Sequence, residues 1–138
     1  MHSLRPSFKL YQSGLLAYKK ENGLIHFLLI TSRKSKKWII PKGYIDSALT
    51  PFESAQKEAY EEAGLICKNS EKMIGEWWIQ KKYGKNVVVV YCAEIVKELE
   101  QYPEKNERVK KWFSSEEALK ETNGSELFLI LKKALAVI

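Results

Sequence analysis

GYIDSALTPFESAQKEAYEEAGL, residues 43–65, is the stretch around which the chain is organised. Its second half reads as a helix from Pro51 to Ala63. Thr50 can cap it, proline suits the first helical position, and Glu53 completes a capping box with Thr50. Gly64 is placed to end the helix in the left-handed conformation. Phe52, Ala55, Ala59 and Ala63 recur at three- and four-residue spacing, so they form the face turned to a core. Small alanines there permit close packing on a sheet. Glu58, Glu61 and Glu62 stand at i, i+3 and i+4 and share a face. Three carboxylates so placed repel, at roughly a few tenths of a kcal/mol per like-charged pair. A hard divalent cation removes that conflict, since magnesium takes one or two carboxylates together with waters and phosphates. The plainer reading of an acidic helix is a solvated face. Lys57, four residues from both Glu53 and Glu61, is spaced to hold a carboxylate or to make ordinary surface contacts worth little.

Strand patterns flank this helix. Residues 12–18 and 24–31 read as strands, with a hairpin signal at Glu21-Asn22-Gly23. A basic loop, Arg33 to Lys37, leads to a short apolar piece, Trp38-Ile39-Ile40, punctuated by Pro41-Lys42-Gly43. Residues 73–80 and 86–96 read as two more strands, with a turn at Tyr83-Gly84-Lys85. The β-branched run Val87 to Val90 suits a central strand. Residues 108–113 read as a last short strand. Ser114 to Glu121 opens with a second capping box, Ser114 and Glu117. Residues 125–137 carry Leu127, Ile130, Leu131 and Leu135 at helical spacing. The sum is an α/β (α+β) chain with a mixed β-sheet.

A length of 138 residues implies a single domain, 1–138, large enough to bury roughly two-thirds of its unfolded surface. The net charge of +6, from 23 basic and 17 acidic residues, favours polyanionic partners. The acids between Glu53 and Glu62 form an island in this basic chain, which suits a cation bridging protein and phosphate. Cys67 and Cys92 have neither CxxC spacing nor a histidine cluster, so neither zinc nor a disulfide framework is indicated and two buried reduced thiols are expected. No run reaches the roughly 18 apolar residues of a membrane span. The N-terminus lacks the apolar core of a signal peptide. The expectation is a cytoplasmic protein with no membrane partner.

Gly43-x5-Leu49-x7-Lys57-Glu58-Ala59-Tyr60-Glu61-Glu62-Ala63-Gly64-Leu65 resembles the Nudix box, GX5EX7REUXEEXGU, at every spacing. Trp38-Ile39-Ile40-Pro41-Lys42-Gly43 resembles the lead-in common in that family. Trp112-Phe113-Ser114 with Glu116-Glu117-Ala118-Leu119 resembles its W-F-x-x-E-E-A-L segment. The resemblance implies a Nudix-type α/β/α sandwich and hydrolysis of a phosphoanhydride bond. It implies Glu58, Glu61 and Glu62 as metal ligands, joined by the carbonyl of Gly43, for magnesium or manganese as a substitute. It implies that Glu61, Glu58 or a glutamate of a later loop activates water, Glu107 being either that loop acid or a plain surface acid, and that Lys42 faces substrate phosphates. Three positions depart from the signature: Leu49 replaces a glutamate, Lys57 an arginine and Ala59 a larger aliphatic residue. The missing glutamate mostly supports the loop in such enzymes, so an altered metal site is expected.

The same segments look most like the branch acting on diadenosine polyphosphates and diphosphoinositol polyphosphates. Basic loops fit such anions: Arg33, Lys34, Lys36 and Lys37 before the box, and Lys81, Lys82 and Lys85 after it. Of these, Arg33, Lys37 and Lys82 are the expected phosphate contacts; the bland alternative is solvated loops. Trp77, Trp78 and Tyr83 suit either a core or stacking on a base. Two other readings stand beside this one. One is a pyrophosphohydrolase that sanitises nucleoside triphosphates. The other is a non-catalytic module binding polyanions or RNA, although the basic loops lack the aromatic interleaving of a single-strand binder. The expected partner is a phosphate-rich small molecule rather than nucleic acid, bound by a monomer or homodimer.

Overall fold

A computed structural model describes residues 8–70, 72–82 and 84–138. In chain order its elements are β1 (Phe8–Glu21), β2 (Leu24–Thr31), β3 (Trp38–Ile39), β4 (Lys42–Tyr44), α1 (Pro51–Ala63), β5 (Leu65–Cys67), β6 (Met73–Lys81), β7 (Gly84–Glu98), β8 (Lys110–Ser114), α2 (Ser115–Glu121) and α3 (Glu126–Val137).

Two long strands form the spine. β1 and β7 run parallel, paired from Phe8 with Gly84 to Tyr18 with Glu94. The end of β1 turns back into β2 through Asn22 and Gly23, both at positive φ (52° and 78°), which sets Glu21 opposite Leu24. Positive φ at both central residues is what a tight two-residue hairpin requires. The first half of β1 is paired antiparallel by β4 at Gln12–Gly14. β7 takes β6 along its first half and β5 near its end. β2 takes β3 and β8. The sheet is therefore mixed, with Val87–Val90 in an interior strand.

Side-chain alternation splits the core into two layers. Leu15, Ala17, Leu28 and Ile30 meet Phe52, Ala55, Ala59 and Ala63 of α1 on one face. Leu16, Phe27, Leu29, Val88 and Val90 meet Ala118, Leu127, Ile130 and Leu131 of α2 and α3 on the other. The result is the expected α/β/α arrangement. α1 has the expected bounds, with both capping-box hydrogen bonds formed at Thr50 and Glu53 and with Gly64 left-handed at φ 68°.

Several local expectations shift. Pro41-Lys42-Gly43 does not simply punctuate, because Lys42–Tyr44 pairs with β1; three residues are too few to show alternation. The strand expected at 108–113 runs from Lys110 to Ser114, and α2 and α3 each start one residue late. The reason is the same at both helices. Ser114 and Ser125 accept backbone hydrogen bonds from Glu117 and Phe128, so each serine stands just outside its helix as a cap. Gly84, expected in a turn, opens β7; Tyr83 lies outside the described residues. Trp77 packs in the α3 layer, whereas Trp78 is exposed. Both cysteines are free, Cys67 buried and Cys92 half-buried, and burial pushes each thiol up to about 12.

The layer beneath α1 is tight, so Ala59→Leu is expected to destabilise the protein by about 1–3 kcal/mol through overpacking, measured by urea unfolding. A second expectation concerns acid. Burial alone would raise the Glu98 carboxyl, but hydrogen bonds from Trp112 Nε1 (2.9 Å) and Lys110 Nζ (3.1 Å) outweigh it and hold the group below its usual range. A carboxylate depressed on folding adds stability above its unfolded pKa and loses it as pH falls through the folded one. Glu98→Gln should therefore be less stable than wild type at neutral pH, with the gap closing in acid across a pH series of unfolding curves.

Candidate functional site

α1 sits close to the sheet because Ala55, Ala59 and Ala63 are fully buried. This proximity decides where its acids go. The Glu58 carboxylate lies against Gly43 of β4, and a Cβ at that glycine would collide with it. Its Oε2 is buried without a hydrogen-bond partner. Ser13 pairs with Gly43 across the strands and has a second buried, unpartnered oxygen on the α1 side of the sheet. Burial pushes the Glu58 carboxyl upward, Glu61 adds to the rise, and Lys57 opposes it.

Glu62 is only 6% exposed and belongs to the buried side of α1, not to a face opposite the alanines. It accepts a hydrogen bond from the backbone N–H of Lys42 (3.4 Å). Burial pushes its carboxyl up to about 8; Arg108, at 3.8 Å, pulls the other way, while Glu58 and Glu104 reinforce the rise. Lys42 itself is held below the usual ammonium range by burial, with Glu62 opposing. Its Nζ donates to Gln12 Oε1 at 3.4 Å. Glu61 is half-buried, and its backbone carbonyl accepts from the N–H of Glu104 (2.9 Å).

That last contact identifies the loop carboxylate that reaches the cluster. Glu104, not Glu107, interacts electrostatically with Glu58 and Glu62. Arg33 and Arg108 hold it at 2.7 and 3.3 Å. Glu107 is about half exposed and pairs with Arg33 at 3.4 Å. Arg108 also donates to the carbonyl of Thr31 (3.1 Å), which fixes its guanidinium at the centre of the network. In the sequence, the i,i+4 spacing of Glu104 and Arg108 is the signal that distinguishes this acid from Glu107. Arg33 is thus engaged with acids rather than presented to a ligand. Lys37 lies elsewhere, lining a cleft with Trp38 and residues 121–125. Lys82 lines a cavity with Leu10, Tyr44, Lys81, Lys85 and Asn86.

Lys57 does not hold Glu53 or Glu61; its ammonium pairs with Asp46 at 3.8 Å. Asp46 also accepts from the N–H of Ala48 (2.9 Å), and its carbonyl accepts from Leu49 (3.0 Å). The loop therefore has its own acidic support three residues before Leu49.

No group of three or more His, Cys, Asp or Glu side chains among the described residues is arranged as a ready metal cage. The donors nevertheless fit a hard cation. Glu58 offers an oxygen with no other partner and lies against the Gly43 backbone, and Glu62 is a buried carboxyl whose ionisation needs compensation. Magnesium commonly takes one or two carboxylates and fills its remaining positions with water and phosphate.

A family model described as NUDIX domain matches residues 13–132. The chain belongs to the NUDIX family. Among its relatives, Nudix hydrolase 4 of Arabidopsis thaliana is 32% identical over 111 residues, covering 73% of this chain and 52% of that protein. Diphosphoinositol polyphosphate phosphohydrolase 2 of Rattus norvegicus is 30% identical over 117 residues, covering 84% and 64%. The crystal structure of a C. elegans Ap4A hydrolase binary complex aligns with a TM-score of 0.73 at 25% identity, over 92% of this chain and 96% of that one. The chain spans about half the length of the Arabidopsis relative it matches. Within the NUDIX signature, Leu49 stands where a loop-supporting glutamate is usual, and the Asp46–Lys57 pair supports that same loop.

Glu62→Gln removes a carboxyl whose ionisation burial penalises, so in EDTA at neutral pH it is expected to melt above wild type. Magnesium should raise the wild-type midpoint and leave that of the variant nearly unchanged. Calorimetric scans with and without magnesium check both; a variant that melts lower in EDTA contradicts the electrostatic account.

Proposed function

We propose that this NUDIX chain is a magnesium-dependent pyrophosphohydrolase, with manganese as a substitute, acting on a dinucleoside polyphosphate or diphosphoinositol polyphosphate. The observation that carries the reading is the Glu58 carboxylate seated on Gly43 with an oxygen left unpartnered, in a chain whose NUDIX match spans the whole site. The names of the relatives, a diphosphoinositol polyphosphate phosphohydrolase and an Ap4A hydrolase, support the substrate class. The basic charge of the chain agrees with such anions.

In this reading Glu58, Glu61 and Glu62, with the Gly43 carbonyl, supply the oxygen donors. When bound, a divalent cation would polarise a phosphoryl oxygen and lower the pKa of a coordinated water. The protein's own groups do the rest. Lys42 and Lys82 meet substrate phosphates. Glu104, held by two arginines, orients the attacking water and replaces Glu107 in that role. Arg108 keeps Glu104 and Glu62 in place from behind. An enclosed set of fixed charges is worth more than the same set in water, because it needs no reorganisation during reaction.

A hydrolysis screen across diadenosine tetraphosphate, diphosphoinositol phosphates, modified dNTPs and ADP-ribose tests the reading. Release of ATP from diadenosine tetraphosphate or of phosphate from a diphosphoinositol supports it. Pyrophosphate release from a dNTP alone favours the sanitising reading, and magnesium-independent binding without turnover favours a polyanion module. Glu61→Gln and Glu104→Gln should each lower kcat by about 100-fold or more, the scale of positioned proton transfer, whereas Glu107→Gln should stay within a few-fold of wild type. Equal losses at 104 and 107 would remove the distinction between the two loop acids.

A further inference from the structure

Buried hydroxyls elsewhere among the described residues have partners. Ser54, 2% exposed, accepts from the N–H of Asp46 (3.2 Å) and donates to the carbonyl of Tyr44 (3.5 Å). Thr122 donates to the carbonyl of Ala118 (2.8 Å), and Thr31 accepts from the N–H of Val109 (3.0 Å). Ser13 is different: it is fully buried, and its Oγ has no partner. Orphaned polar groups are few in native interiors, and each calls for an explanation in strain, in chemistry or in a water or ion that it serves. Filling space does not explain this hydroxyl. Ala17, four residues along the same face of β1, is equally buried and fills its place with a methyl.

A second orphan lies opposite. Ser13 and Gly43 are direct partners across β1 and β4, so their side-chain directions share a face, about 5 Å apart. The place that a Cβ of Gly43 would take is filled by the Glu58 carboxylate. Ser13 Oγ and Glu58 Oε2 are therefore neighbours over one glycine, each buried and each without a hydrogen bond. Any side chain at position 43 would separate them. Rotation about the single Cα–Cβ bond of serine moves its Oγ among three staggered positions without disturbing the strand. The two groups are also complementary. A serine hydroxyl offers one donor, whereas an ionised carboxylate only accepts and has roughly four lone-pair sites. Accepting one hydrogen bond leaves the carboxylate room for a cation.

We propose that Ser13 is a positioning residue of the cation site, its hydroxyl donating to the Glu58 carboxylate when a divalent cation is bound there. The inference rests on the cation-dependent reading above and adds to it a residue outside α1 and β4. A hydrogen bond to a charged acceptor is about twice as strong as one between neutral groups, so the donor counts most in the loaded protein. Without the cation the hydroxyl is a buried group with nothing to serve, and a methyl in its place costs little or stabilises. Groups that orient a metal's ligands raise affinity without touching the ion, by fixing the direction of the ligand. Here α1 supplies the carboxylate, and β1, a long strand paired along β7, fixes its direction.

The test compares wild type with Ser13→Ala. Manganese alone is the probe, titrated by the EPR signal of the free ion, with thermal melts in EDTA beside it. Ser13→Ala should bind manganese about 10- to 100-fold more weakly, the scale for groups that orient metal ligands. In EDTA it should melt at or above the wild-type temperature. At saturating magnesium the NMR signal of the Glu58 carboxyl carbon should differ between the two proteins, while that of Glu53, at the other end of α1, stays in place. Equal manganese affinities or an unmoved Glu58 carbon would overturn the inference. A lower melting point in EDTA with affinity intact would do the same, as the mark of a purely structural serine. If stability and affinity fall together, the Glu58 carbon decides. The failure of each claim is distinguishable. A wild type that binds no manganese removes both this inference and the cation-dependent reading. Unchanged affinity in Ser13→Ala removes the inference alone. Weakened binding in a protein that cleaves no anhydride keeps the inference and removes the hydrolase reading.

Discussion

Close contact between the alanine face of α1 and the sheet is the constraint from which the site follows. Ala55, Ala59 and Ala63 are fully buried, and their small side chains let the helix backbone approach β1 and β4. A bulkier face would hold the helix away and leave its acids in water. Here the helix is near enough that Glu62 cannot reach solvent and Glu58 is pressed onto a residue without a side chain. Apolar packing is non-directional and strong, whereas an uncompensated buried carboxylate is costly. The first effect sets the position, and the second leaves an electrostatic demand at that position.

The demand is only partly met by the protein. Arg108 lies between Glu62 and Glu104 and is itself nearly buried. Arg33 covers the outer side of Glu104, and the Lys42 backbone reaches Glu62. Cations thus border the acids on the loop side, yet Glu62 is still pushed up to about 8 and Glu58 keeps an unpartnered oxygen. Acids outnumber cations in this buried set, so losing a carboxyl relieves repulsion, whereas losing Arg108 would strand the acids it borders. The arrangement remains short of positive charge on the side facing Gly43.

The sequence makes the helix legible in detail, since Thr50, Pro51, Glu53 and Gly64 each act through local backbone chemistry that needs no tertiary context. The two-layer core came with the resemblance and not from period-two alternation, because Leu15–Ala17 and Phe27–Ile30 are apolar at every position and buried on both faces. β4 and β5 were not legible, because three-residue strands are defined by their partners rather than by their own pattern. The acids of α1 were visible as a cluster, but not their burial, which depends on how closely the helix docks. For Lys57 the i,i+4 spacing offered two partners on the helix, while the structure supplies Asp46 from the preceding loop. Glu104 and Arg108 were hidden for the same reason: their significance comes from contacts 40 or more residues away in sequence, with Glu61, Glu62 and Thr31. Long-range partners are not written in local spacing.

The end of α1 has one more property. Its last carbonyls, which any helix leaves unsatisfied, are taken by a single downstream segment: Glu104 N–H on Glu61, Lys110 Nζ on Ala63 and Leu99 N–H on Gly64. Two of these three donors are backbone amides, available from every residue type but proline. The spacing between helix and loop is consequently indifferent to most of the side chains along 99–110. The residue at 104 is thereby held beside Glu61 by the polypeptide backbone itself, whatever side chain it carries.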